Sequence, residues 1–455
     1  MIKGIYRGGF RERKARIKLL MSAIVNFEKE LLHALKADLN KPEAEAVLQE
    51  IYPLKKEAQH TISNLNRWMG KRHASTPLAL IGTKYYVQAE PKGRVLIISP
   101  WNYPVMLTLR PLIGALAAGN SVVVKPSEHT PHVSLVLKNL LESIFTEELV
   151  KVELGGPEVS AKLTSSPFNH INFTGGTEIG RLVMKAAAEQ LCSVTLELGG
   201  KSPTIIDKSA NINNAARKIA WGKYMNAGQV CIAPDHLLIE KSIKTVFTEA
   251  LLLRITKMYG EKPIESPDLG KIVNTTHYNR ILSLIKDATQ KGATLHVPGN
   301  TLEMGEERCK IAPCILTGCT LEMAIMQEEI FGPVLPVLTW ETQEQAAEII
   351  MRNPYPLALY IFSSKSKNIA WFIENTQAGS TAINEVILQI ANSALPFGGI
   401  QSSGMGRSGG RSSFESFSNL RSFAVQTLPY SFLFLTYPPF KALGLTFSRI
   451  ARKWL

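Results

Sequence analysis

Cys231 lies in the stretch M-N-A-G-Q-V-C-I-A-P-D-H, residues 225 to 236, between a glycine-containing turn and a proline. A thiolate presented by such a turn can attack a carbonyl carbon, provided that fixed donors hold the charge developing on oxygen. Taken alone, the same residue is a small buried hydrophobe, the common fate of a free cysteine. Glu197 ends an apolar run in T-L-E-L-G-G-K. Desolvation raises a carboxyl pKa and suits it to act as a base near neutral pH, and the plainer alternative is an inward carboxylate paired with Lys201. Neither residue is decisive by itself.

Three further stretches carry chemistry at the ends of apolar runs: S-P-W-N-Y-P (99–104), V-K-P-S-E (124–128) and F-T-G-G-T-E-I-G (173–180). In the third, a strand pattern enters Gly175 and Gly176 and then a helix, so free N–H groups can face an anion such as a nucleotide phosphate. A tight turn is the simpler account of the two glycines. Lys125 and Glu128 follow three valines. There a lysine can hold ribose hydroxyls or phosphate, and a carboxylate can accept from a ribose 2′-hydroxyl and repel a 2′-phosphate. A solvated loop is the alternative.

The elements that position these residues follow from periodicity. From Arg11 to Trp68, apolar residues at three and four residue spacing (Ile17, Leu20, Met21, Ile24, then Ile51, Leu54, Ala58, Ile62, Leu65) predict two or three amphipathic helices broken at Lys41-Pro42. Residues 83–89 read as an exposed hairpin strand. Short apolar runs then alternate with helical stretches: strands in R-V-L-I-I-S, S-V-V-V-K, K-V-E-L-G-G, H-I-N-F-T, V-T-L-E-L and P-T-I-I-D, with helices around 107–118 and 132–144. That alternation predicts a parallel, doubly wound sheet whose ligands sit beyond the carboxyl ends of its strands. The logic repeats after residue 199, with helices over 211–227, 241–259 and 342–351 and strands at 236–240, 334–338 and 359–362. The fold class is therefore α/β, with two Rossmann-like doubly wound lobes and a small β element.

At 455 residues the chain is too long for one core. An apolar share of 45% with 20% charged residues excludes disordered and fibrous classes. The net charge of +13, concentrated at the two ends, suits anionic partners. A phosphate-bearing cofactor satisfies that as well as nucleic acid does, and no nucleic-acid partner is expected. Five cysteines are an odd number in a long chain and predict a reducing compartment with no disulfide framework. Cys309, Cys314 and Cys319 recur every five residues without histidine, a spacing that zinc sites do not use, so no metal is expected. The basic N-terminus has no apolar signal segment after it, which makes the expected location cytoplasmic. Leu428 to Leu435 is too short to span a membrane.

Together the motifs P-W-N-Y-P, K-P-S-E, F-T-G-G-T-E-I-G, L-E-L-G-G-K-S-P, N-A-G-Q-V-C-I-A-P-D, E-E-I-F-G-P and P-F-G-G-I-Q-S-S-G-M-G-R resemble those of the aldehyde dehydrogenase superfamily, in its order and over essentially the whole chain. The short N-terminus, the C-I-A-P-D and the Y-P-P-F near the end are most similar to the class 3 branch, whose members favour fatty and aromatic aldehydes. The resemblance implies that Cys231 is the nucleophile, that the Asn102 amide and the Cys231 N–H hold the oxyanion, and that Glu197 activates the water that hydrolyses a thioester. It also implies NAD, with NADP possible, held by Trp101, Lys125, Ser127, Glu128, Gly175, Gly176, Thr177, Gly180, Leu198, Glu329 and Phe331. Two residues depart from the pattern: Gly176, where many relatives have serine, and Val230, where threonine is commoner.

The repeat of the alternation over 199–397 sets the boundary between the lobes, and the resemblance implies that residues 1–72 and 92–198 form the NAD(P)-binding domain and 199–397 the catalytic domain. Residues 73–91 and 398–455 form an oligomerisation hairpin and C-terminal arm of a homodimer. The tail from Phe432 to Leu455 mixes aromatic and aliphatic residues with Lys441, Arg449, Arg452 and Lys453. That is the composition of an interfacial helix at the inner membrane surface, and equally of an arm packed on a partner subunit. A coenzyme A-acylating dehydrogenase has no use for Glu197 as a water activator, and a thiol hydrolase needs a histidine beside Cys231, from which a strand carries His236 away. A non-catalytic membrane-surface protein on the same scaffold would not need Cys231, Glu197 and Asn102 together.

Overall fold

The computed structural model describes residues 8–77, 80–300, 302–305, 309–428, 437–440 and 442–452. The N-terminal segment forms helices Phe10–Asn26, Glu28–Leu39, Glu43–Ala46 and Tyr52–Met69, with a π-helical turn at Val47–Ile51 joining the last two. Ile17, Leu20, Ile24, Ile51, Leu54, Ala58 and Leu65 are buried as their spacing requires, while Met21 and Ile62 are only partly covered. The break falls at Lys41-Pro42, where Asn40 closes the second helix in the left-handed region (φ 49).

Two large sheets follow. The first has six strands in the order Gly404–Met405, Ser193–Glu197, His170–Thr174, Arg94–Ile98, Ser121–Lys125 and Val150–Val152. All pairs are parallel except that of Gly404–Met405, which adds antiparallel at the edge. The strands read as continuous apolar runs because both faces are covered. Register aligns their carboxyl ends, with Ile98 opposite both Lys125 and Phe173 and Thr174 opposite Glu197, so the loops carrying the motifs start on one rim.

The second sheet has seven strands, ordered Thr294–His296, Cys314–Thr317, Val334–Trp340, His236–Glu240, Pro203–Ile206, Ala358–Phe362 and Ser380–Ile383. The 294–296, 314–317 and 380–383 strands have no counterpart in the sequence reading, since three or four residues carry too little periodicity. One helix corrects the reading. The element over 211–227 ends at Tyr224, and Asn226 and Ala227 are left-handed instead of helical.

Thr83–Pro91 is a strand, as its composition predicts, and pairs antiparallel with Arg72–Ala74 on one side and with Ser418–Gln426 on the other. Beyond it, the helix Ala442–Ala451 exposes Leu443, Leu445 and Ile450. The 429–435 part of the run at Leu428, and Lys441, Lys453 and Trp454 of the tail, lie outside the described residues. Among the described residues no helix is long and apolar enough to cross a membrane, and no cluster of ligands suits a metal ion. All five cysteines are free.

Candidate active site

The loop before Cys231 is built from three successive left-handed residues, Asn226 (φ 49), Ala227 (φ 54) and Gly228 (φ 77). At Gly228 a Cβ would run into the backbone of Gly332 and Pro333, so only glycine fits where the two loops cross. Three consecutive left-handed residues are costly, and the surroundings hold them. The Asn226 side chain donates to Gln229 O (3.2 Å), the Gln229 amide donates to Asn226 O (2.9 Å) and Lys271 O (3.0 Å), and its oxygen accepts from Val273 N (3.0 Å). The turn ends with Cys231 half-buried in a cavity of about 250 Å³.

Asn102 and Glu197 line the same cavity. Asn102 Nδ2 donates one hydrogen to Gln229 O (3.0 Å), which fixes the amide beside the cysteine turn and leaves its second hydrogen for a ligand oxygen. Glu197 lies at the end of its strand and is buried. Burial raises its carboxyl pKa, opposed by the Ser408 hydroxyl and by Arg110. It does not pair with Lys201, the simpler alternative. Lys201 Nζ instead donates to Asp235 (2.5 Å), Ile325 O (2.8 Å) and Glu328 O (2.8 Å). Burial also drives the Cys231 thiol far above its usual range, and the nearby carboxylates of Glu329 and Glu197 push in the same direction.

Asp235, the aspartate of C-I-A-P-D, connects this turn to E-E-I-F-G-P. Its second carboxylate oxygen accepts from Ile330 N (3.1 Å), between Glu329 and Phe331. Lys201 and further basic neighbours overcome the effect of its burial and hold it well below the usual carboxylate range. Glu329 approaches Gly199 so closely that a Cβ there would collide with the carboxylate. Burial, with Asp235 adding to it, pushes the Glu329 carboxyl up to about 8. Phe331 is left-handed (φ 47) and meets Trp101 edge-on, their ring centroids 5.3 Å apart.

Of the residues assigned to a cofactor, the cavity brings together Trp101, Gly175, Gly176, Leu198, Glu329 and Phe331. Gly175 and Gly176 lead into the helix Thr177–Ala188, which has no side-chain cap, so its first N–H groups lack intrahelical partners. A Cβ on Gly176 would meet nothing within 4 Å. Thr177 and Gly180 belong to that first turn and do not line the cavity. Lys125, Ser127 and Glu128 sit outside it too, at the end of Ser121–Lys125, the strand next to the one that leads into Trp101 and Asn102. The solvated-loop alternative fails for Lys125, which is buried with its ammonium on Glu128 at 2.5 Å.

Sequence reasoning missed several residues here. His277 packs on Trp101, centroids 5.4 Å apart, and Arg280 donates to Glu329 O (3.1 Å) and Ile330 O (2.6 Å), both from the helix Thr275–Gln290. Two signals mark that helix in the sequence: apolar Tyr278, Ile281, Leu284, Ile285 and Ala288 at three and four residue spacing, and Asn274, a cap that accepts from His277 N (2.9 Å); neither says that it borders the site. Lys41 and Glu50 were missed as well. Nothing in a spacing of nine residues announces a buried pair.

Comparison with known proteins shows the family. Residues 6–423 match the model of the aldehyde dehydrogenase family. The chain is 42% identical over 415 residues to the 4,4'-diaponeurosporen-aldehyde dehydrogenase of Staphylococcus aureus, covering 91% of this chain and 89% of that one. It is 41% identical over 430 residues to aldehyde dehydrogenase family 3 member A2 of Rattus norvegicus, covering 94% and 87%. Among solved structures, the substrate-bound state of Staphylococcus aureus AldH superposes with a TM-score of 0.93 at 39% identity, over 97% of this chain and 95% of that one. An indole-3-acetaldehyde dehydrogenase, AldA of P. syringae, solved with NAD+ and IAA, superposes with a TM-score of 0.84 at 30% identity, over 92% and 85%.

Proposed function

Because the chain belongs to the aldehyde dehydrogenase family, and so is an oxidoreductase acting on aldehydes, we propose that it oxidises medium- or long-chain aliphatic or aromatic aldehydes to carboxylic acids with NAD(P)+. The observation that carries this reading is the single cavity joining Cys231, Asn102 and Glu197 to Gly175, Gly176, Glu329 and Phe331. Leu107, an apolar lining residue not assigned to the cofactor, favours a lipophilic aldehyde.

The Cys231 thiol gives up its proton to solvent water in the cavity and, as the thiolate, attacks the aldehyde carbon. The free hydrogen of the Asn102 amide and the Cys231 N–H then hold the oxyanion of the resulting thiohemiacetal. When bound, NAD(P)+ supplies the acceptor for the hydride that leaves this carbon. Trp101, Gly175, Gly176, Leu198, Glu329 and Phe331 would hold its reactive end, with Thr177 and Gly180 at the helix start, and Lys125, Ser127 and Glu128 would hold its ribose end. The fit rests on the uncapped helix and on the open space at Gly176. Glu197 takes a proton from the water that attacks the thioester on Cys231, the acid departs, and the thiol is regenerated. A carboxyl buried in this cavity has no role in transfer to coenzyme A, which weighs against the acylating alternative. Glu128 favours NAD over NADP by repelling a 2′-phosphate.

We propose further that the protein is a cytoplasmic homodimer. Ser418–Gln426 is an outer strand, mostly exposed, whose open edge suits strand addition from a second copy. The exposed Leu443, Leu445 and Ile450 beside Arg449 suit an anionic membrane surface. Assaying aldehydes of rising chain length with NAD and with NADP tests the main reading. Undiminished NAD reduction by Cys231→Ala would overturn the assigned nucleophile.

A further inference from the structure

Lys41 and Glu50 do not line the cavity, yet their side chains are fully buried and paired at 2.6 Å. Lys41 Nζ also donates to Asn102 O (3.1 Å) and sits 4.1 Å from the centre of the Tyr103 ring. The other oxygen of Glu50 accepts from Val105 N (2.9 Å) and Met106 N (3.1 Å). The pair therefore grips the 102–106 backbone at both ends. The same short segment reaches the other lobe, where Glu45 accepts from Asn226 N (2.7 Å), at the start of the left-handed turn that presents Cys231. Asn226 Nδ2 returns a hydrogen bond to Asn102 O (2.9 Å), and Asn102 Nδ2 donates to Gln229 O (3.0 Å), so the contacts close a ring.

A buried ion pair is a poor way to gain stability, because apolar side chains of the same volume do as well or better. What it supplies is direction, with fixed donors and acceptors aimed at particular backbone atoms. Glu50 is set within the π turn Val47–Ile51, a helix irregularity frequent at functional sites.

We propose that Lys41, Glu45 and Glu50 are positioning residues for the oxidation, a clamp that fixes the Asn102 amide and the Asn226 to Cys231 turn relative to one another across the two lobes. This rests on the roles given above to Cys231 and Asn102. Because the clamp touches neither Lys125 nor the Gly175 turn, it acts on turnover and not on cofactor affinity.

The decisive variant is Lys41→Met/Glu50→Gln, which removes both buried charges together and keeps an acceptor for Val105 and Met106 N–H. Its melting temperature and KM for NAD are expected to stay near those of the wild type, within about twofold for KM, while kcat falls about tenfold to a hundredfold. Amide hydrogen exchange is expected to rise in peptides covering 100–106 and 225–231. Wild-type kcat with unchanged exchange in both peptides overturns the clamp. Exchange separates this outcome from failure of the functional reading, because a wild-type protein that oxidised no aldehyde would still show or lack the coupled protection. Should the double variant not fold, Glu45→Ala, which deletes one acceptor, must raise exchange across 225–231. Unchanged exchange there refutes the proposal.

Discussion

Burial, chiefly, with Glu329 and Glu197 adding to it where they are ionised, pushes the Cys231 thiol far up in the ligand-free protein. Alkylation of Cys231 by iodoacetamide is therefore slow and accelerates with pH throughout the neutral range. A plateau at or below pH 7 would contradict that environment. Glu197, also raised by burial, must be ionised to draw a proton from water, so thioester hydrolysis speeds up as pH rises through its pKa. Glu197→Gln is expected to release about one reduced cofactor per site in a rapid burst and then slow steady-state turnover about 10²- to 10⁴-fold, which stopped-flow absorbance at the cofactor band reads directly. Asn102→Ala removes an oxyanion donor and should lower kcat about 10²- to 10³-fold. At this scale the sequence was most informative about residue types. Cysteine, buried glutamate and asparagine stood in recognisable motifs, but whether Glu197 was spent on Lys201 was open until Asp235 proved to be the lysine's partner.

Among elements, the three left-handed residues before Cys231 are the feature that helical periodicity concealed. The 211–227 pattern runs on past Tyr224 because Met225 and Ala227 are apolar, whereas the backbone reverses there to meet the 332–333 loop. Gly228→Ala would force a side chain into a left-handed position against backbone. We expect it to cost about 1–3 kcal/mol, read as a lowered melting temperature, with loss of activity. Gly176→Ser, in open space at an extended φ of -68, should leave the melting temperature unchanged and lower KM for the cofactor by adding a hydroxyl at the helix start. Glu45, in the short helix Glu43–Ala46, has its carboxyl pushed up to about 7, chiefly by burial; Glu50 and Asp268 add to this, and Lys41 and the Asn226 N–H oppose it. The folded state thus holds a proton that the unfolded chain releases near 4.5. Stability from this group is full below about 4.5 and is lost as pH rises through about 7. Glu45→Gln should flatten that part of a plot of melting temperature against pH, and an unaltered slope would contradict it.

For the whole molecule, the first sheet presents the carboxyl ends of its strands and the second the amino ends of its strands to one cavity, and among the described residues a three-stranded sheet leaves the edge of Ser418–Gln426 unpaired. Sedimentation velocity tests the dimer, which deletion of residues 418–455 should convert to monomer. Removing residues 440–455 should abolish co-sedimentation with anionic vesicles while leaving soluble turnover intact, and unchanged co-sedimentation would sink the membrane reading. The sequence by itself determined the alternation of buried strands and helices, the motif residues and their order along the chain, because apolar periodicity and turn chemistry are local and written in adjacent residues. Only the tertiary structure decided that Lys201 serves Asp235, that His277 and Arg280 join the site, and that Lys41, Glu45 and Glu50 tie Asn102 to the cysteine turn. Those contacts join residues separated by tens to hundreds of positions. No periodicity encodes such pairs, and their partners are set by how the packed lobes bring distant backbone atoms within hydrogen-bonding reach.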